Sequence, residues 1–399
     1  MCLTGERSCT SFDSFPPSPG YDFSDPIDPN AGIPSSGVVA DKTIEIDGAW
    51  QITQNVTFSN CTFKMHGAAR ITVAPTSSSL SKITFDNCRF FGCGDLWFGI
   101  TAIGSASNGM KLSVFDCLIE DAYIGLHLEE GVQNHYAIAG NTFRNNYHGI
   151  ANLQQNDEPL NAVLTGNTFF ATGALADVTA VAAALGFTLG TMAESGVRLV
   201  RTQAAVGAGG SGNANEFSCL LWGIYTGQAA VSSVNNFFHD MNVAGNGVFC
   251  SDGTMQISYC EFTDAGRECI RTYGTNLLVA ESHFDGSSQA GVYSWQNLNA
   301  EWVYIVRNNV FDISGEAWDY GVYLERSHAV AQNVGEFHNL ISYNEFNIQN
   351  VTEPLIGIQT TAGVAATDGL YIQNNSFAID SNNTKSITGI QTQIGSSDG

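Results

Sequence analysis

Hydrophobic and polar residues alternate in short runs along most of the chain, and the runs contain a repeated sequence motif. Each β-rich run ends at Asn, Cys or Ser, and one further residue separates that position from a large apolar anchor. The twelve anchors are Phe63, Phe90, Ile119, Phe143, Phe169, Phe217, Phe238, Phe262, Phe284, Phe311, Phe346 and Phe377. Successive anchors are 21 to 35 residues apart, except for one step of 48 residues. One structural unit per step is typical of a solenoid.

A second motif, Gly followed by a branched apolar residue, begins another short strand after most anchors. It occurs at Gly125, Gly149, Gly196, Gly223, Gly247, Gly291, Gly321, Gly357 and Gly389. Units of this length lack a helical period and are too short for βαβ crossovers. Antiparallel hairpins would need frequent two-residue turns. The sequence therefore predicts an all-β fold, a right-handed parallel β-helix of about twelve coils.

Two segments depart from the repeat. Six of the nine prolines lie between Pro16 and Pro34, which predicts a Pro-rich N-terminal arm or irregular cap over residues 1–41, followed by the β-helix over 42–399. The 48-residue step contains an Ala-rich window after Asp177, a candidate N-cap, which predicts a short helical insertion near residues 170–195. We expect this insertion to lie beside the solenoid, either as a lid or docking element or as cover for apolar surface.

Equivalent positions in neighbouring coils should form stacked rows. Asn tolerates a left-handed turn and can hydrogen-bond to the Asn of the next coil. Cys61, Cys88 and Cys117 occupy this position in consecutive coils, where stacking places their Cα atoms about 4.8 Å apart. They are either disulfide-bonded or small core residues.

The charge balance restricts the partners. The chain has 38 acidic and 15 basic residues, for a net charge of -23, which leaves no basic surface to neutralise phosphates. Nucleic acid is therefore excluded, anionic membranes and acidic polysaccharides are repelled unless a bound cation intervenes, and neutral or cationic partners are favoured. No apolar run reaches the ~18 residues of a membrane span.

The motif of Gly followed by a branched residue also predicts an exposed row of side chains. If the branched residue after each Gly points inward, period-two alternation turns the next residue outward. The predicted binding residues are Arg198, Tyr225, Phe249, Arg271, Tyr273, Tyr293, Trp295, Tyr323 and Glu325, with His127 and Glu129 at the same positions of an earlier coil. Flat rings on a rigid sheet suit stacking on sugar faces, and Arg and Glu supply directional hydrogen bonds. The alternative is that loops, the insertion or another subunit bury the row.

Candidates for other chemistry are sparse. Glu268 and Glu325, with Arg271 as a cation, are acid/base candidates, although solvated or ion-paired roles are the commoner ones for such residues. No cofactor is expected. Asp22, Asp25 and Asp28 are spaced for calcium ligation but lack the Gly and terminal Glu of an EF-hand loop.

Three segments carry a resemblance to a known group: IEIDG at 44–48, VTFSNCTF at 56–63 and AARITV at 68–73. They resemble the opening coils of secreted right-handed parallel β-helix proteins of the pectate-lyase-like superfold, in particular large surface-exported proteins of the Bacteroidota. The resemblance implies export to the cell surface or the extracellular space. Polygalacturonase-like members carry Asn-Thr-Asp, Asp-Asp, Gly-His-Gly and Arg-Ile-Lys motifs, none of which occurs here; the nearest is Tyr147-His148-Gly149.

These observations favour an extracellular or cell-surface structural or adhesive module, which binds a glycan or assembles with copies of itself, over an enzyme. The alternative is a polysaccharide lyase or glycoside hydrolase acting on an extracellular glycan. The sequence has no C-terminal sorting domain of the group it resembles, and the last coil contains Ile387, Ile390 and Ile394. We expect further sequence or another subunit to cover that coil.

Overall fold

The structure is a computed structural model. It describes residues 37–67, 69–74, 81–103, 109–129, 134–153, 158–210, 212–286, 289–296, 303–314, 319–326, 339–362, 370–381, 383 and 385–394. Strands follow one another around three faces, and each strand pairs in parallel with the strand of the same face in the next coil. The fold is the right-handed parallel β-helix that the sequence predicts.

The chain divides into two compact units: Met1–Gly207 with Gly212–Leu220, and Ala208–Ser211 with Leu221–Gly399. In the first unit the first face consists of β1 (Val38–Ala40), β4 (Val56–Ser59), β7 (Ser81–Asp86), β10 (Met110–Phe115), β13 (His135–Ala139) and β16 (Ala162–Thr165). The second face consists of β2 (Thr43–Ile46), β5 (Thr62–Met65), β8 (Arg89–Gly92), β11 (Leu118–Glu120), β14 (Thr142–Arg144), β17 (Thr168–Phe170) and β20 (Glu216–Ser218). The third face consists of β3 (Ala49–Ile52), β6 (Arg70–Val73), β9 (Trp97–Ala102), β12 (Ala122–Leu128), β15 (His148–Asn152) and β18 (Ser195–Val200), and β19 (Gln203–Val206) follows it.

The second unit repeats the arrangement. Its first face consists of β22 (Ala230–Val234), β25 (Thr254–Ser258), β28 (Asn276–Ala280), β31 (Tyr304–Arg307), β34 (Asn339–Ser342) and β37 (Leu370–Gln373). Its second face consists of β23 (Phe237–His239), β26 (Glu261–Thr263), β29 (His283–Asp285), β32 (Val310–Ser314), β35 (Glu345–Gln349) and β38 (Ser376–Ile379). Its third face consists of β21 (Trp222–Gly227), β24 (Asn246–Ser251), β27 (Glu268–Tyr273), β30 (Ala290–Gln296), β33 (Tyr320–Arg326), β36 (Leu355–Ala362) and β39 (Ile387–Ile394). Seven second-face strands in the first unit and six in the second make one more coil than the about twelve predicted.

The apolar anchors form internal stacks of rings. In the first unit Phe143 stacks on Phe169 with ring centroids 4.8 Å apart, and Phe169 stacks on Phe217 at 4.9 Å. In the second unit a continuous stack runs through Phe238, Phe262, Phe284, Phe311, Phe346 and Phe377. Each ring lies above its register partner, so burial and offset stacking stabilise the same arrangement.

The turn before the second face holds the Asn ladder. Asn141 Nδ2 donates to Asn167 Oδ1 at 3.0 Å, and Asn167 Nδ2 donates to Asn215 Oδ1 at 3.0 Å. Asn309 and Asn344 continue the same pattern in the second unit. The residue before the ladder position often adopts a positive φ, as at Asn60, Asn87 and Asn308. These bonds satisfy buried amide groups inside the tube.

The inserted helix α1 (Thr179–Leu185) lies within the predicted 170–195 window. Its N-cap is Val178, one residue after the predicted Asp177, whose Oδ1 instead accepts a hydrogen bond from the Thr179 amide at 2.8 Å. Val181 is buried against Leu96 and Leu189. The insertion therefore lies on the first unit and covers apolar surface there.

The cysteines separate into two kinds. Cys61, Cys88 and Cys117 are buried free thiols, which decides between the two alternatives in favour of core residues. A hydrogen bond with Cys117, together with burial, raises the pKa of the Cys88 thiol to about 12, so the group is unreactive at neutral pH. Cys93 and Cys219 each form a disulfide bond with another cysteine and not with each other, because the strands that precede them, β8 and β20, are four strands apart on the second face.

Candidate functional site

The third face of the second unit carries two outward rows of large side chains in register. Tyr225 pairs with Phe249, Phe249 with Arg271, Arg271 with Tyr293, and Tyr293 with Tyr323. Beside this row, Tyr273 pairs with Trp295 and Trp295 with Glu325. All of these side chains are partly exposed. The aromatic strip is defined here as Trp222, Tyr225, Phe249, Arg271, Tyr273, Tyr293, Trp295, Tyr320, Tyr323 and Glu325.

Five rings at one end of the aromatic strip are in continuous contact. The Trp222 ring lies 4.9 Å from Tyr225 and 5.8 Å from Phe249, centroid to centroid. Phe249 contacts Tyr273 at 5.6 Å, and Tyr273 contacts Trp295 at 5.9 Å. Because each ring packs on its neighbour, the surface is ordered before any ligand arrives.

Three further rings form a second group, which Arg271 joins to the first. Tyr323 lies 5.3 Å from Tyr293 and 4.7 Å from Tyr320. The Arg271 guanidinium carbon lies 5.1 Å from the Tyr273 ring centroid and 5.5 Å from that of Tyr293. Arg271 therefore makes a cation–π contact with one ring of each group.

The rings of the aromatic strip meet one another at different angles. Tyr225 and Phe249 stack on each other with planes 10° apart, so each ring covers one face of the other. Tyr273 meets Trp295 at 64°, and Tyr293 meets Tyr323 at 71°. In such edge-to-face pairs, the ring that points its edge keeps both faces free of its partner.

A buried carboxylate fixes Arg271 in place. Glu268, whose side chain is 5% exposed, lies 3.3 Å from Arg271 Nη1 and 3.4 Å from Arg267 Nε. Asn246 Nδ2 donates to Glu268 Oε2 at 2.7 Å. Arg271 Nε donates to the Tyr273 hydroxyl at 2.6 Å. Burial by itself disfavours the charge, but Glu268 and Tyr273 raise the pKa of Arg271 above its usual value.

Glu325 has its own partner in the aromatic strip. The Tyr293 hydroxyl donates to Glu325 Oε2 at 2.8 Å. Burial and this hydrogen bond raise the pKa of Tyr293, so the phenol remains a neutral donor at physiological pH. The two acid/base candidates are therefore each held by a hydrogen bond, Glu268 inside the ion pair and Glu325 at the phenol.

Eight of the nine predicted binding residues lie on the third face of the second unit, and the ninth, Arg198, belongs to the first unit. Arg198 lies on β18 of the first unit, where its Nη1 is 2.5 Å from Glu194 Oε1. There the outward row runs from His127 through Ala151 to Arg198. His127 is the only ring of these three residues, so the row lacks the aromatic character of the strip.

Trp222 and Tyr320 belong to the aromatic strip but were missed by the sequence argument. Each stands three residues before an outward ring, Tyr225 and Tyr323, with Gly between. Strict alternation assigns that position to the inner side. The Gly is skipped in the strand pairing, which goes from Trp222–Asn246 directly to Ile224–Val248. The sequence pattern aromatic-Gly-branched-aromatic could have identified Trp222 and Tyr320 as outward residues.

Glycine is required at this skipped position. A Cβ at Gly223 would lie 2.6 Å from the Gly247 carbonyl oxygen and 2.6 Å from Cδ1 of Phe238. The motif of Gly followed by a branched residue thus lies where a strand of the third face packs directly against the internal Phe stack. This close packing fixes the start of β21 and hence the position of Trp222.

Asp22, Asp25 and Asp28, the calcium candidates, lie outside the described residues. Within the part of the chain that the structure describes, no group of three or more His, Cys, Asp or Glu side chains could hold a metal ion. Among the same residues, no helix is long and apolar enough to cross a membrane.

The fold and the site together define a right-handed parallel β-helix with an aromatic strip on one face. A family model described as "Right handed beta helix region" matches residues 39–182. No curated protein sequence matches the chain.

Solved structures with a similar arrangement include three that act on polysaccharides by name. A double mutant of the periplasmic alginate epimerase AlgG is 10% identical, with a TM-score of 0.32, covering 91% of this chain and 79% of its own. The catalytic unit of a GH87 alpha-1,3-glucanase from Streptomyces thermodiastaticus strain HF3-3 is 11% identical, with a TM-score of 0.39 and 89% of this chain covered; the match spans 63% of the glucanase unit. The A-module of the Azotobacter vinelandii mannuronan C-5 epimerase AlgE6 is 12% identical, with a TM-score of 0.21, covering 93% and 96%. Similarity at this level does not indicate a function for this chain.

Proposed function

We propose that this protein is an extracellular or cell-surface β-helix module that binds a glycan through the aromatic strip. The observation that supports this proposal is the run of partly exposed rings across five neighbouring strands, β21, β24, β27, β30 and β33. Monomeric proteins seldom expose so much contiguous aromatic surface without a binding role. The export and surface address rest on the resemblance to secreted β-helix proteins.

The aromatic strip suits recognition because its side chains are held in place before a ligand binds. Tyr and Trp bury a large area at a small cost in conformational entropy. Here the rings are further held by one another and by Arg271, which is itself tied to the buried Glu268. A ligand therefore meets a surface that needs little further ordering.

The first test is a binding screen of the intact chain against immobilised polysaccharides, followed by variants. Tyr293→Ala with Trp295→Ala removes ring surface from two edge-to-face pairs. We expect affinity to fall about 30-fold or more, the effect of losing a hot spot of about 2 kcal/mol. The melting temperature should change by no more than a few degrees, because both side chains are partly exposed.

Tyr371→Ala provides the matched control. Tyr371 lies on β37 of the first face and is 48% exposed, so the substitution removes a similar ring from a different surface. Its affinity should equal that of the parent chain. Equal losses in the control and in the double variant, or unfolding of the double variant alone, would refute a binding role for the strip.

The same samples separate the proposal from two other functions. If the aromatic strip mediates assembly with copies of this chain, light scattering will give a multimer that the double variant converts to monomer. If the protein is a lyase or hydrolase, incubation with a bound polysaccharide will release unsaturated products or reducing ends. Glu268→Gln and Glu325→Gln would then abolish product formation while binding persists.

A further inference from the structure

The aromatic strip is longer in one direction than in the other. The row from Tyr225 to Tyr323 crosses five strands, which at about 4.8 Å per strand extends over about 19 Å. Along a single strand the strip is shorter: β30 carries two of its positions, Tyr293 and Trp295, about 7 Å apart, and β33 carries three, Tyr320, Tyr323 and Glu325, over at most about 16 Å. A linear ligand that contacts both Tyr225 and Tyr323, at the two ends of the row, must therefore cross the strands.

The charges at the strip are already compensated or negative. Arg267 and Arg271 both pair with Glu268. Glu325 accepts a hydrogen bond from Tyr293. Burial and the negative charge of Asp319 raise the pKa of Tyr320. Among the side chains that the structure describes at the strip, two arginines thus stand against three carboxylates.

An anionic ligand would have to break this arrangement. To pair with Arg271, its carboxylate would compete with Glu268, which is buried and cannot turn away to water. It would also approach Glu325 and a chain of net charge -23. Sugar hydroxyls meet no such penalty. They can donate hydrogen bonds to the carboxylate oxygens, and they can donate to or accept from the phenol hydroxyls.

We infer that the ligand of the aromatic strip is an uncharged glycan whose chain runs across the strands, along the row from Tyr225 to Tyr323. This inference rests on the proposed function, because it specifies the ligand of that same site. It names the class of glycan, the direction of the chain and a minimum length of several sugar rings.

The charge part is tested with three matched pairs of hexasaccharides in calorimetric titrations of the full chain. The pairs are glucose and glucuronate, mannose and mannuronate, and galactose and galacturonate oligomers, which differ within each pair chiefly in charge. For at least one pair, we expect the neutral member to bind at least tenfold more tightly than the acidic member, with little dependence on salt. Tighter binding of the acidic members would overturn the inference and leave the proposed function intact, whereas no binding of any hexasaccharide would overturn both.

The direction is tested by chain length and by the two ends of the row. Affinity for the neutral oligomer should rise at least tenfold from disaccharide to hexasaccharide. Tyr225→Ala and Tyr323→Ala, at opposite ends, should each weaken hexasaccharide binding at least threefold, while at least one of them leaves disaccharide binding unchanged. A ligand that lies along one strand would instead show no gain beyond the disaccharide and would respond to at most one of the two substitutions, and either result would refute the crossing direction.

Discussion

At the residue scale, the inner ring stacks show how one side chain contributes to the whole coil. Phe143 is buried and stacks on Phe169. Phe143→Ala should lower the free energy of unfolding by ~3 to 5 kcal/mol, because burial is lost and a cavity remains between fixed coils. Denaturant unfolding measures the change. Phe170→Ala, which removes a partly exposed ring from the neighbouring strand β17, should cost much less, and equal costs would mean that the inward register is wrong.

His148 makes the stability of the first unit depend on pH. It is buried, its Nδ1 lies 2.8 Å from Ser195 Oγ, and burial together with the Arg198 charge lowers its pKa well below the usual value. The unfolded chain binds a proton near pH ~6.5 while the folded chain does not. This contribution is therefore fully present above pH ~6.5 and is lost as the pH falls towards the folded pKa.

The expected loss is up to about 1.4 kcal/mol per pH unit for this one group. Denaturant unfolding at a series of pH values from 7 to 5 measures it. His148→Gln removes the titrating group and should flatten the dependence on pH in this range, even though the variant is less stable at pH 7. A variant with the slope of the parent chain would show that His148 is not the source.

At the element scale, the Asn ladder joins coils through side chains that make several bonds each. Asn309 donates through Nδ2 to the Val279 carbonyl and to Asn344 Oδ1, and its Oδ1 accepts from the Ser282 amide. Asn309→Ala leaves these buried groups without partners and should cost about 2 to 4 kcal/mol. The result is read from denaturant unfolding and from faster amide exchange at Ser282.

The neighbouring turn residue provides the control for the ladder. Asn308 is exposed and has a φ of 54°, a conformation that Gly adopts without strain. Asn308→Gly should change stability by less than ~1 kcal/mol. Similar costs at both positions would indicate that the turn conformation, and not the buried ladder, holds the coils together.

The repeating elements could be predicted because stacking imposes the same requirement on every coil. Phe169 and Asn167 stand two residues apart as their counterparts do in neighbouring coils, so spacing alone revealed the solenoid. Trp222 could not be placed by alternation, because the strand pairing skips Gly223. Nor could ring orientation be predicted: the stacking of Tyr225 on Phe249 depends on side-chain angles that a sequence pattern does not contain.

At the scale of the whole molecule, the chain is strongly acidic, and the described arginines at the aromatic strip, Arg267 and Arg271, are both paired with a carboxylate. The net charge of -23 and the pairing of both arginines with Glu268 favour uncharged ligands for the same physical reason. The site lies entirely within the second unit, Ala208–Ser211 with Leu221–Gly399. The inserted helix α1 lies within the first unit.

The most direct measurement is a crystal structure of the chain with the tightest-binding oligosaccharide from the hexasaccharide series. We expect sugar density over Arg271, Tyr273, Tyr293 and Trp295, extending towards Tyr225 and Tyr323 across the strands, with Glu268 still paired to Arg271. Density on another face, with the aromatic strip empty or covered by a second copy of the chain in solution as well, would contradict the account.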